Sequence, residues 1–526
     1  MAFPVMSLFR LVRAGFVMAR EGVFSLVHLP DLPAGPRFGI AIARLLERRA
    51  VKDKSADLRL SDALNRLGPS YVKLGQFLAT RADVVGKDAA RELSALQDRL
   101  PAFEHEAARR AISEQLDRPV DEIFVEFGEA VAAASIAQVH PAVIRGKDGL
   151  DRKVAVKVLR PGVARRFQRD LESYYLVARL AERFHPPSRR LRPVAVVDTL
   201  AQSVAMEMDF RLEAAALSEM AENIANDAGF RVPSVEWLHT SKGVLTLEWI
   251  DGRKMSDVDG LREDGHDLEA LGASVIQSFL RHTLRDGFFH ADMHQGNLFV
   301  EPDGTLVAVD FGITGRLNKR ERRFLAEILF GFITRNYKRV AEVHFEAGYV
   351  PAHQDVDMFA QAIRAIGEPI HGHDASEISM ARLLTQLFEV TDLFEMRTQT
   401  QLIMLQKTMV VVEGVARSLN PNLDMWRTAE PVVGSWIAEN LGPVGKFRDA
   451  GDALSALARV ANDMPLFADR IGRMSAELEK MTNSGLRFDE ETAEAIGKAE
   501  ARHTRSGRIA LWVIAVCALL LTYQAF

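Results

Sequence analysis

Three oxygen-bearing side chains follow one another in the stretch HADMHQGNLFVEPDGTLVAVDFG, which covers residues 290–312. Asp292 is followed five residues later by Asn297, and thirteen residues after that by Asp310, which begins an Asp-Phe-Gly triplet. Carboxylate and carboxamide oxygens are the ligands that Mg²⁺, a hard cation, prefers. Phosphoryl transfer from a nucleotide needs one carboxylate to orient the nucleophile, and an Asn and a second carboxylate to hold metal. The order and spacing therefore predict a phosphoryl-transfer site of the protein-kinase type.

A predicted hairpin explains how residues so far apart in sequence could meet. Apolar residues at 298–300 and 306–309 flank a turn signal at Pro302-Asp303-Gly304, which is the pattern of two short strands joined by a turn. The loop before the hairpin and the loop after it would then open at the same end. We expect Asp292, Asn297 and Asp310 to line one mouth there.

Two other interpretations of this stretch stay open at the level of sequence. The Asp and Asn residues could serve only as caps and turns of the hairpin. His290-Ala-Asp292, with His294 four residues after His290, also matches half of a two-histidine, one-carboxylate iron site. That site needs a distant second histidine and usually a β-sandwich, whereas the flanks here predict a helix over Leu268–Arg285 and a single hairpin.

A lysine within an apolar strand pattern indicates where the nucleotide would bind. Lys157 lies in VAVKVLR, between Val156 and Val158, and a lysine in such a strand is costly unless it meets an anion. Residues 121–160 therefore read as the start of a nucleotide-binding lobe, in which this lysine would hold the phosphates.

The loop before this strand is rich in alanine, where a nucleotide-binding loop is expected to be rich in glycine. Alanine restricts the backbone more than glycine does, so we expect nucleotide handling to differ from that of ordinary kinases. The candidate ATP-binding residues are Lys157 and the run Ala130, Val131, Ala132, Ala133, Ala134, Ser135, Ile136, Ala137 and Gln138.

Two further helical segments carry candidate site residues. A predicted helix over 194–222 carries Glu207, Asp209 and Glu213; Glu213 is the candidate partner of Lys157, and the alternative is three solvated acids on a helix face. In a second predicted helix, from Ser70 onward, Lys73 and Gln76 share a face. A solvated face is the usual position of such residues, and spacing alone assigns them no role.

Composition sets limits on function. The chain has 526 residues and a net charge of −5, so it is long enough for two or three domains, and its overall charge does not point to nucleic acid. The one cysteine, Cys517, excludes an intramolecular disulfide and fits a reducing compartment.

The C-terminal segment predicts a membrane anchor. Ile509–Phe526 contains no charged side chain and has Trp512 and Tyr523 in positions typical of the bilayer interface. Basic residues precede it at Lys498, Arg502, Arg505 and Arg508, which would keep the main body in the cytoplasm.

At the N-terminus, a predicted helix has one apolar stripe. Val5, Leu8, Val12 and Phe16 form it, and Arg10, Arg13 and Arg20 flank it. This pattern suits a helix on a membrane surface and a helix packed on the domain equally well.

Taken together, these motifs resemble the UbiB family of atypical protein-kinase-like proteins of ubiquinone biosynthesis. The resemblance covers most of residues 60–425 and rests on motifs that stand in one order: Lys73-Leu-Gly-Gln76, AAASIAQVH, VAVK, Glu207-Met-Asp209, His290-Ala-Asp-x-His-x-Gly-Asn297, Asp-Phe-Gly and Glu-Gly-Val-Ala-Arg. It implies that the helix of Lys73 and Gln76 lies over the nucleotide site, contacts Glu207 and Asp209 and blocks peptide access. It also implies that Glu213 pairs with Lys157.

This sequence departs from the family pattern in three places. Ala216 stands where the family often has Asn, Gln295 stands where Pro is usual, and there is one C-terminal apolar segment where bacterial relatives often have two. None of these changes removes a predicted metal ligand or Asp292, but the last leaves the membrane topology in question.

The fold class we expect is α+β, a protein-kinase-like two-lobed fold with extra N-terminal helices and a C-terminal transmembrane helix. The expected divisions are an N-terminal helical extension at 1–120, an N-lobe with the nucleotide-binding loop at 121–252, a helical C-lobe with the catalytic loop at 253–480, a polar tether at 481–508 and a transmembrane anchor at 509–526.

The function we expect is that of an ATP- and Mg²⁺-dependent kinase-like ATPase that supports ubiquinone biosynthesis. Asp292 would orient the attacking water or hydroxyl, Asn297 and Asp310 would hold Mg²⁺, and Lys157, positioned by Glu213, would hold the phosphates. No Ala-Pro-Glu and no peptide-docking spacer follow Gly312, which counts against a protein substrate.

The expected partners are polyprenyl-phenol or quinone-precursor lipids, other ubiquinone-biosynthesis proteins and the membrane, and no nucleic acid. The expected location is the cytoplasmic face of the bacterial inner membrane, with a single-pass C-terminal anchor. The alternatives are a polyprenylphenol hydroxylase, for which the sequence has no dinucleotide fingerprint, and a scaffold that binds nucleotide and lipid without catalysis.

Overall fold

The computed structural model describes most of the chain between residues 5 and 442. The described ranges are 5–26, 34–51, 56–79, 101–184, 191–372 and 400–442, with positions 85, 93, 189, 390 and 393–396. The chain divides into two compact units, Met1–Ile437 and Ala438–Phe526. All the site residues discussed below belong to the first unit.

Four α-helices occupy most of the described residues between positions 5 and 79. They are α1 (Val5–Arg20), α2 (Ala34–Leu45), α3 (Ala56–Leu67) and α4 (Pro69–Ala79). The Arg10 side chain of α1 donates a hydrogen bond to Ser173 Oγ at 3.0 Å, while Leu8, Val12 and Phe16 of its apolar stripe are exposed. Helix α1 therefore packs on the domain through the face opposite to that stripe.

An antiparallel sheet forms the smaller lobe. Its strands are β1 (Glu126–Phe127), β2 (Ala132–Ala133), β3 (Ala137–Arg145), β4 (Asp151–Leu159) and β6 (Val244–Glu248). The strand order is β1-β3-β4-β6, and β2 also pairs with β3. In β4, Val154, Val156 and Val158 are buried on one face, and because strand residues alternate, Lys157 points to the other face.

Five α-helices precede or follow strands of this sheet in sequence. Helices α5 (His105–Leu116) and α6 (Val120–Ile123) precede it, and α7 (Val163–Phe184), α8 (Pro193–Glu207) and α9 (Phe210–Asn223) follow β4. The Asp209 side chain accepts a hydrogen bond from the backbone N–H of Arg211 and so caps the N-terminus of α9. That cap fixes where α9 begins, and hence which of its residues faces β4.

Two small sheets contain the strands of residues 290–312, the candidate catalytic stretch. One has the order β5-β10-β9-β7 and the other pairs β11 with β8; the strands are β5 (Phe230–Arg231), β7 (Arg253–Lys254), β8 (Phe288–His290), β9 (Leu298–Val300), β10 (Leu306–Ala308) and β11 (Thr314–Arg316). Strands β9 and β10 are antiparallel, which confirms the predicted hairpin. Its turn includes Gly304 at φ +87°, a backbone conformation that favours glycine.

The larger lobe is helical. Its described helices are α10 (Val258–Glu263), α11 (Leu268–Arg281), α12 (Lys319–Ile333), α13 (Tyr337–Glu346), α14 (Val356–Gly372), α15 (Thr400–Leu419) and α16 (Met425–Asn440). Helices α11 and α15 approach closely at Gly272, where an added Cβ would lie 3.1 Å from the Ala416 carbonyl oxygen. This close packing brings α15 under the catalytic stretch.

The membrane part of the expected architecture needs correction. Among the helices that the structure describes, none combines the length and apolar character needed to cross a bilayer. The C-terminal transmembrane helix of the expected fold class, and the single-pass anchor at the cytoplasmic face of the inner membrane, are therefore not supported. The expectation rested on an uncharged run of only eighteen residues, the lower limit for a span. The predicted tether at 481–508 and the anchor at 509–526 lie outside the described residues.

Candidate active site

The centre of the candidate site is a lysine shared by two carboxylates. Lys157 Nζ donates to both carboxylate oxygens of Glu213, at 2.8 and 2.9 Å, and lies 3.1 Å from Oδ1 of Asp310. Strand β4, helix α9 and the loop after β10 each supply one of these groups. Glu213 lies 56 positions after Lys157 in sequence and Asp310 lies 153 positions after it, so the fold brings distant residues together.

Burial and charge set the protonation of this triad. Burial acts to lower the pKa of Lys157, but the carboxylates of Asp310 and Glu213 outweigh it and hold that pKa above its ordinary value. Burial raises the pKa of Glu213 to about 7, because the Lys157 charge offsets only part of the desolvation. Burial also acts to raise the pKa of Asp310, but the Lys157 charge prevails and holds it at about 2. Near neutral pH, Lys157 is therefore a cation, Asp310 is an anion, and Glu213 titrates.

One side-chain and one backbone hydrogen bond at the base of the hairpin bring Asp292, Asn297 and Asp310 into one region. Asn297 Nδ2 donates to the Asp292 carbonyl oxygen at 3.1 Å, and the N–H of Val309 donates to the Asn297 carbonyl oxygen at 2.9 Å. Asp310 follows directly and has φ +60°, the left-handed region that Asp tolerates better than most residues. This turn places its carboxylate beside Lys157.

His290 links the two loops and cannot also be a metal ligand. Its Nδ1 accepts a hydrogen bond from the Asp292 backbone N–H at 3.1 Å, so its Nε2–H donates to the Val309 carbonyl oxygen at 3.1 Å. The ring is buried, and burial lowers its pKa. Because both of its ring nitrogens are engaged, His290 does not supply the histidine ligand that the iron interpretation requires of it. In the part of the chain that the structure describes, no group of three His, Cys, Asp or Glu side chains is placed to hold a metal.

Asn297 and Asp310 fit a hard divalent cation. The carboxamide nitrogen of Asn297 donates a hydrogen bond to the Asp292 carbonyl oxygen. Its carboxamide oxygen is therefore left to act as a metal ligand. Asp310 meets Lys157 through Oδ1 and stays ionised across the physiological range. Oxygen donors of this kind suit Mg²⁺.

The alanine-rich loop divides into an accessible half and a buried half. Ala130 and Ala132 to Ala134 are partly or fully exposed, and Val131 is exposed, whereas Ser135, Ile136, Ala137 and Gln138 are buried. The Ala134 N–H donates to the Ala137 carbonyl oxygen at 2.8 Å and closes a tight turn between β2 and β3. The first half is thus open to a ligand, and the second half forms the frame of the loop.

Helix α4 contacts the lobe through Lys73. Lys73 Nζ lies 2.6 Å from Glu207 Oε2, and both side chains are largely buried. Asp209, by contrast, forms an ion pair with Arg211, and this pair lowers the pKa of Asp209. Gln76 lies one helical turn beyond Lys73 and is partly exposed.

Sequence reasoning missed how α15 holds the catalytic stretch. Thr408, fully buried, has its hydroxyl 3.0 Å from the Ala291 carbonyl oxygen and 2.9 Å from that of Met404. Gln295 Nε2 donates to Ser418 Oγ at 2.7 Å. No motif marks these residues, because a Thr or Ser in a helix carries no chemical signature of its own.

The fold and site define an atypical protein-kinase-like protein. Residues 95–344 match the family model described as the ABC1 atypical kinase-like domain, and residues 363–424 match the UbiB helical domain. Two curated relatives, each named "Probable protein kinase UbiB", are from Marinobacter nauticus and Aeromonas salmonicida. The first is 38% identical and spans 87% of this chain and 83% of the relative; the second is 36% identical and spans 98% and 93%.

The chain belongs to the UbiB family of atypical kinase-like proteins, which by name is connected with ubiquinone biosynthesis. A kinase-like domain of this kind implies ATP binding. A solved structure titled "The complex structure of Rv3197-erythromycin from Mycobacterium tuberculosis" is 25% identical, with a TM-score of 0.48, and the match covers 72% of this chain and 95% of that one.

Proposed function

We propose that this protein is a Mg²⁺-dependent ATPase or phosphotransferase that supports ubiquinone biosynthesis. The observation that carries the proposal is the contact of Lys157 with both Glu213 and Asp310, beside the linked pair Asp292 and Asn297. A lysine held by a helix glutamate and facing a metal-binding aspartate is the arrangement that holds and activates a nucleotide in kinase-like sites.

Each residue of the site has a role that follows from its position. Lys157 binds phosphate oxygens, and Glu213 keeps its ammonium group in place when that carboxyl is ionised. Asp292 accepts the proton of the attacking hydroxyl and orients its oxygen for in-line attack. Asn297 and Asp310 would hold Mg²⁺, which when bound neutralises charge on the transferred phosphoryl group. His290 keeps the loop of Asp292 and the loop of Asp310 in register.

We infer a small acceptor, either water or a polyprenyl-phenol intermediate of the quinone pathway. Helix α4 is attached to the lobe by the Lys73–Glu207 pair, which supports its proposed role as a cover that excludes peptides. The proposed partners are quinone-precursor lipids and other proteins of the same pathway. A scaffold that binds nucleotide without turnover is the competing possibility.

ATP hydrolysis by the full-length chain tests the proposal. Asp292→Asn and Asp310→Asn keep the shapes of the side chains and remove one carboxylate each, so turnover should fall at least about a hundredfold while folding is retained. Asp303→Asn is the matched control, since Asp303 caps the turn of the same hairpin through the Thr305 N–H at 2.9 Å. Full turnover in both site variants would refute the assignment, and tight nucleotide binding without any turnover would favour the scaffold.

A further inference from the structure

The alanine-rich loop is held from outside its own hairpin by the segment Pro101–Phe103. One terminal nitrogen of Arg160 lies 3.0 Å from the Pro101 carbonyl oxygen and 3.1 Å from the Ala134 carbonyl oxygen. The same guanidinium lies over the Phe103 ring, 5.2 Å from its centroid. The backbone N–H of Arg160 also donates to the Ile136 carbonyl oxygen at 2.7 Å. Arg160 thus bridges the incoming segment and the turn of the loop.

Gln138 forms a second bridge to the same segment. Its Oε1 accepts a hydrogen bond from the Phe103 N–H at 2.9 Å, and its Nε2 donates to the Phe103 carbonyl oxygen at 3.3 Å. The side chain therefore pairs with Phe103 as a neighbouring strand would. Its second N–H is aimed at His140 Nε2, 2.8 Å away.

These contacts fix the protonation of His140. Because the Phe103 N–H identifies Oε1 of Gln138, the atom that faces His140 is the amide nitrogen, a donor only. His140 Nε2 must therefore accept, and its proton is on Nδ1, which donates to the Gly128 carbonyl oxygen at 2.8 Å. His140 is fully buried and stacks on Phe127. The neutral ring connects the end of the loop at Gln138 to its beginning at Gly128.

We propose that Gln138, His140 and Arg160 are positioning residues that clamp the alanine-rich loop to Pro101–Phe103 and thereby set the affinity for nucleotide. This inference rests on the proposed function, because it concerns the loop of the same nucleotide site. The accessible residues Ala132 to Ala134 can offer backbone groups to phosphate only while the loop has a fixed conformation. The clamp supplies that fixation from outside the loop, in addition to the restriction that alanine places on the backbone.

The clamp has a built-in dependence on pH. A protonated His140 would present N–H groups on both ring nitrogens, so its Nε2 could no longer accept from Gln138. Burial lowers the pKa of His140. The titratable groups that face it are His105 of α5, whose ring centroid is 5.7 Å away and whose charge lowers that pKa further, and Glu129, whose charge raises it. The contribution of the clamp to nucleotide affinity should therefore be constant at neutral pH and weaken only in acid, whereas the titration of Glu213 acts equally on the native protein and on clamp variants.

The test is the dissociation constant of a fluorescent ATP analogue, measured on the full chain between pH 6 and 8. In Gln138→Glu, the new carboxylate would face the Nε2 lone pair of neutral His140 but would pair with a protonated ring. Relative to the native protein at the same pH, which removes the shared titration of Glu213, we expect this variant to bind about tenfold more weakly at pH 8 and to recover as the pH falls. His140→Phe in the same background should abolish the recovery.

Two further variants separate positioning from general loss of stability. Arg160→Lys keeps the charge, but its shorter side chain has no planar guanidinium to lie over the Phe103 ring, so this variant should weaken binding at every pH. Arg145→Lys is the matched control on the same sheet, because Arg145 pairs with Asp151 at an exposed position away from the loop, and it should bind as the native protein does. The clamp would be refuted if the native protein bound the analogue and Gln138→Glu bound it equally well. It would also be refuted if the affinity of Gln138→Glu did not recover as the pH fell. Failure of the native protein to bind nucleotide would refute the proposed function itself.

Discussion

Lys157 and Glu213 are 56 positions apart in sequence, yet two hydrogen bonds of 2.8 and 2.9 Å join their side chains. The contact holds helix α9 against strand β4. The N–H of Phe210, the first residue of α9, donates to the Lys242 carbonyl oxygen at 3.1 Å just before β6, so the start of the helix is also attached to the sheet. A shift of α9 would therefore also move the Lys157 ammonium group.

Replacing Glu213 by Gln should impair nucleotide handling more than folding. The amide keeps the shape of the side chain but removes the charge that holds Lys157, so we expect kcat/KM for ATP to fall roughly tenfold to a hundredfold. Glu219→Gln is the control, since Glu219 lies on the same helix and pairs with Arg316. Steady-state ATP hydrolysis of both variants gives the answer, and equal activities would show that Glu213 does not position Lys157.

Stability and activity should change in opposite directions with pH because of Glu213. Its pKa in the folded protein is about 7, above the ordinary value of 4.5, so folding favours the protonated form. The stabilisation is therefore complete below pH 4.5 and is lost as pH rises through about 7. Activity needs the ionised form and should rise over the same range.

Thermal unfolding and ATP turnover between pH 5 and 8 test this opposition, with Glu213→Gln as the reference for all other titrating groups. The difference between the native protein and the variant isolates Glu213. As the pH rises, the stability difference between native protein and variant should change in one direction and the turnover difference in the other. If both changed in the same direction, the assigned direction of the pKa shift would be wrong.

The Lys73–Glu207 pair should contribute measurably to the attachment of α4. Both side chains are largely buried, at 15% and 16% exposure, so we expect a coupling free energy of about 1 kcal/mol, above that of most surface pairs. A double-mutant cycle of Lys73→Met and Glu207→Gln, followed by denaturant unfolding, measures it. The pair Arg145–Asp151, at 65% and 46% exposure, is the comparison and should give a smaller coupling free energy, because solvent screens it. Equal values for the two pairs would refute the expected contribution.

Removal of the Thr408 hydroxyl should slow turnover without weakening nucleotide binding. Thr408→Val keeps the volume and branching but leaves the Ala291 carbonyl, next to Asp292, without this donor. We expect kcat to fall about threefold to tenfold with KM for ATP unchanged. Thr408→Ser, which retains the hydroxyl, should keep most of the activity, and a loss of equal size in both variants would indicate packing instead.

Local patterns predicted the hairpin and the strand of Lys157, because turn residues and strand alternation act over a few positions. Family resemblance indicated the Lys157–Glu213 pair, which periodicity alone could not distinguish from three solvated acids. For Asp209, the family resemblance implied a contact with α4. Its carboxylate instead accepts hydrogen bonds from the backbone N–H and the side chain of Arg211, at the N-terminus of α9. Gln138 was expected at the nucleotide, and its side chain instead pairs with Phe103, which no local pattern connects to it.

The alternation of β4 has a consequence for how such a chain can evolve. The core of the small lobe depends on Val154, Val156 and Val158, whereas Lys157 lies on the opposite face of the same strand. A descendant could therefore exchange the lysine, lose its chemistry and still inherit an intact sheet. The residue proposed for chemistry and the residues of the core alternate along β4, so substitutions can remove the first without disturbing the second.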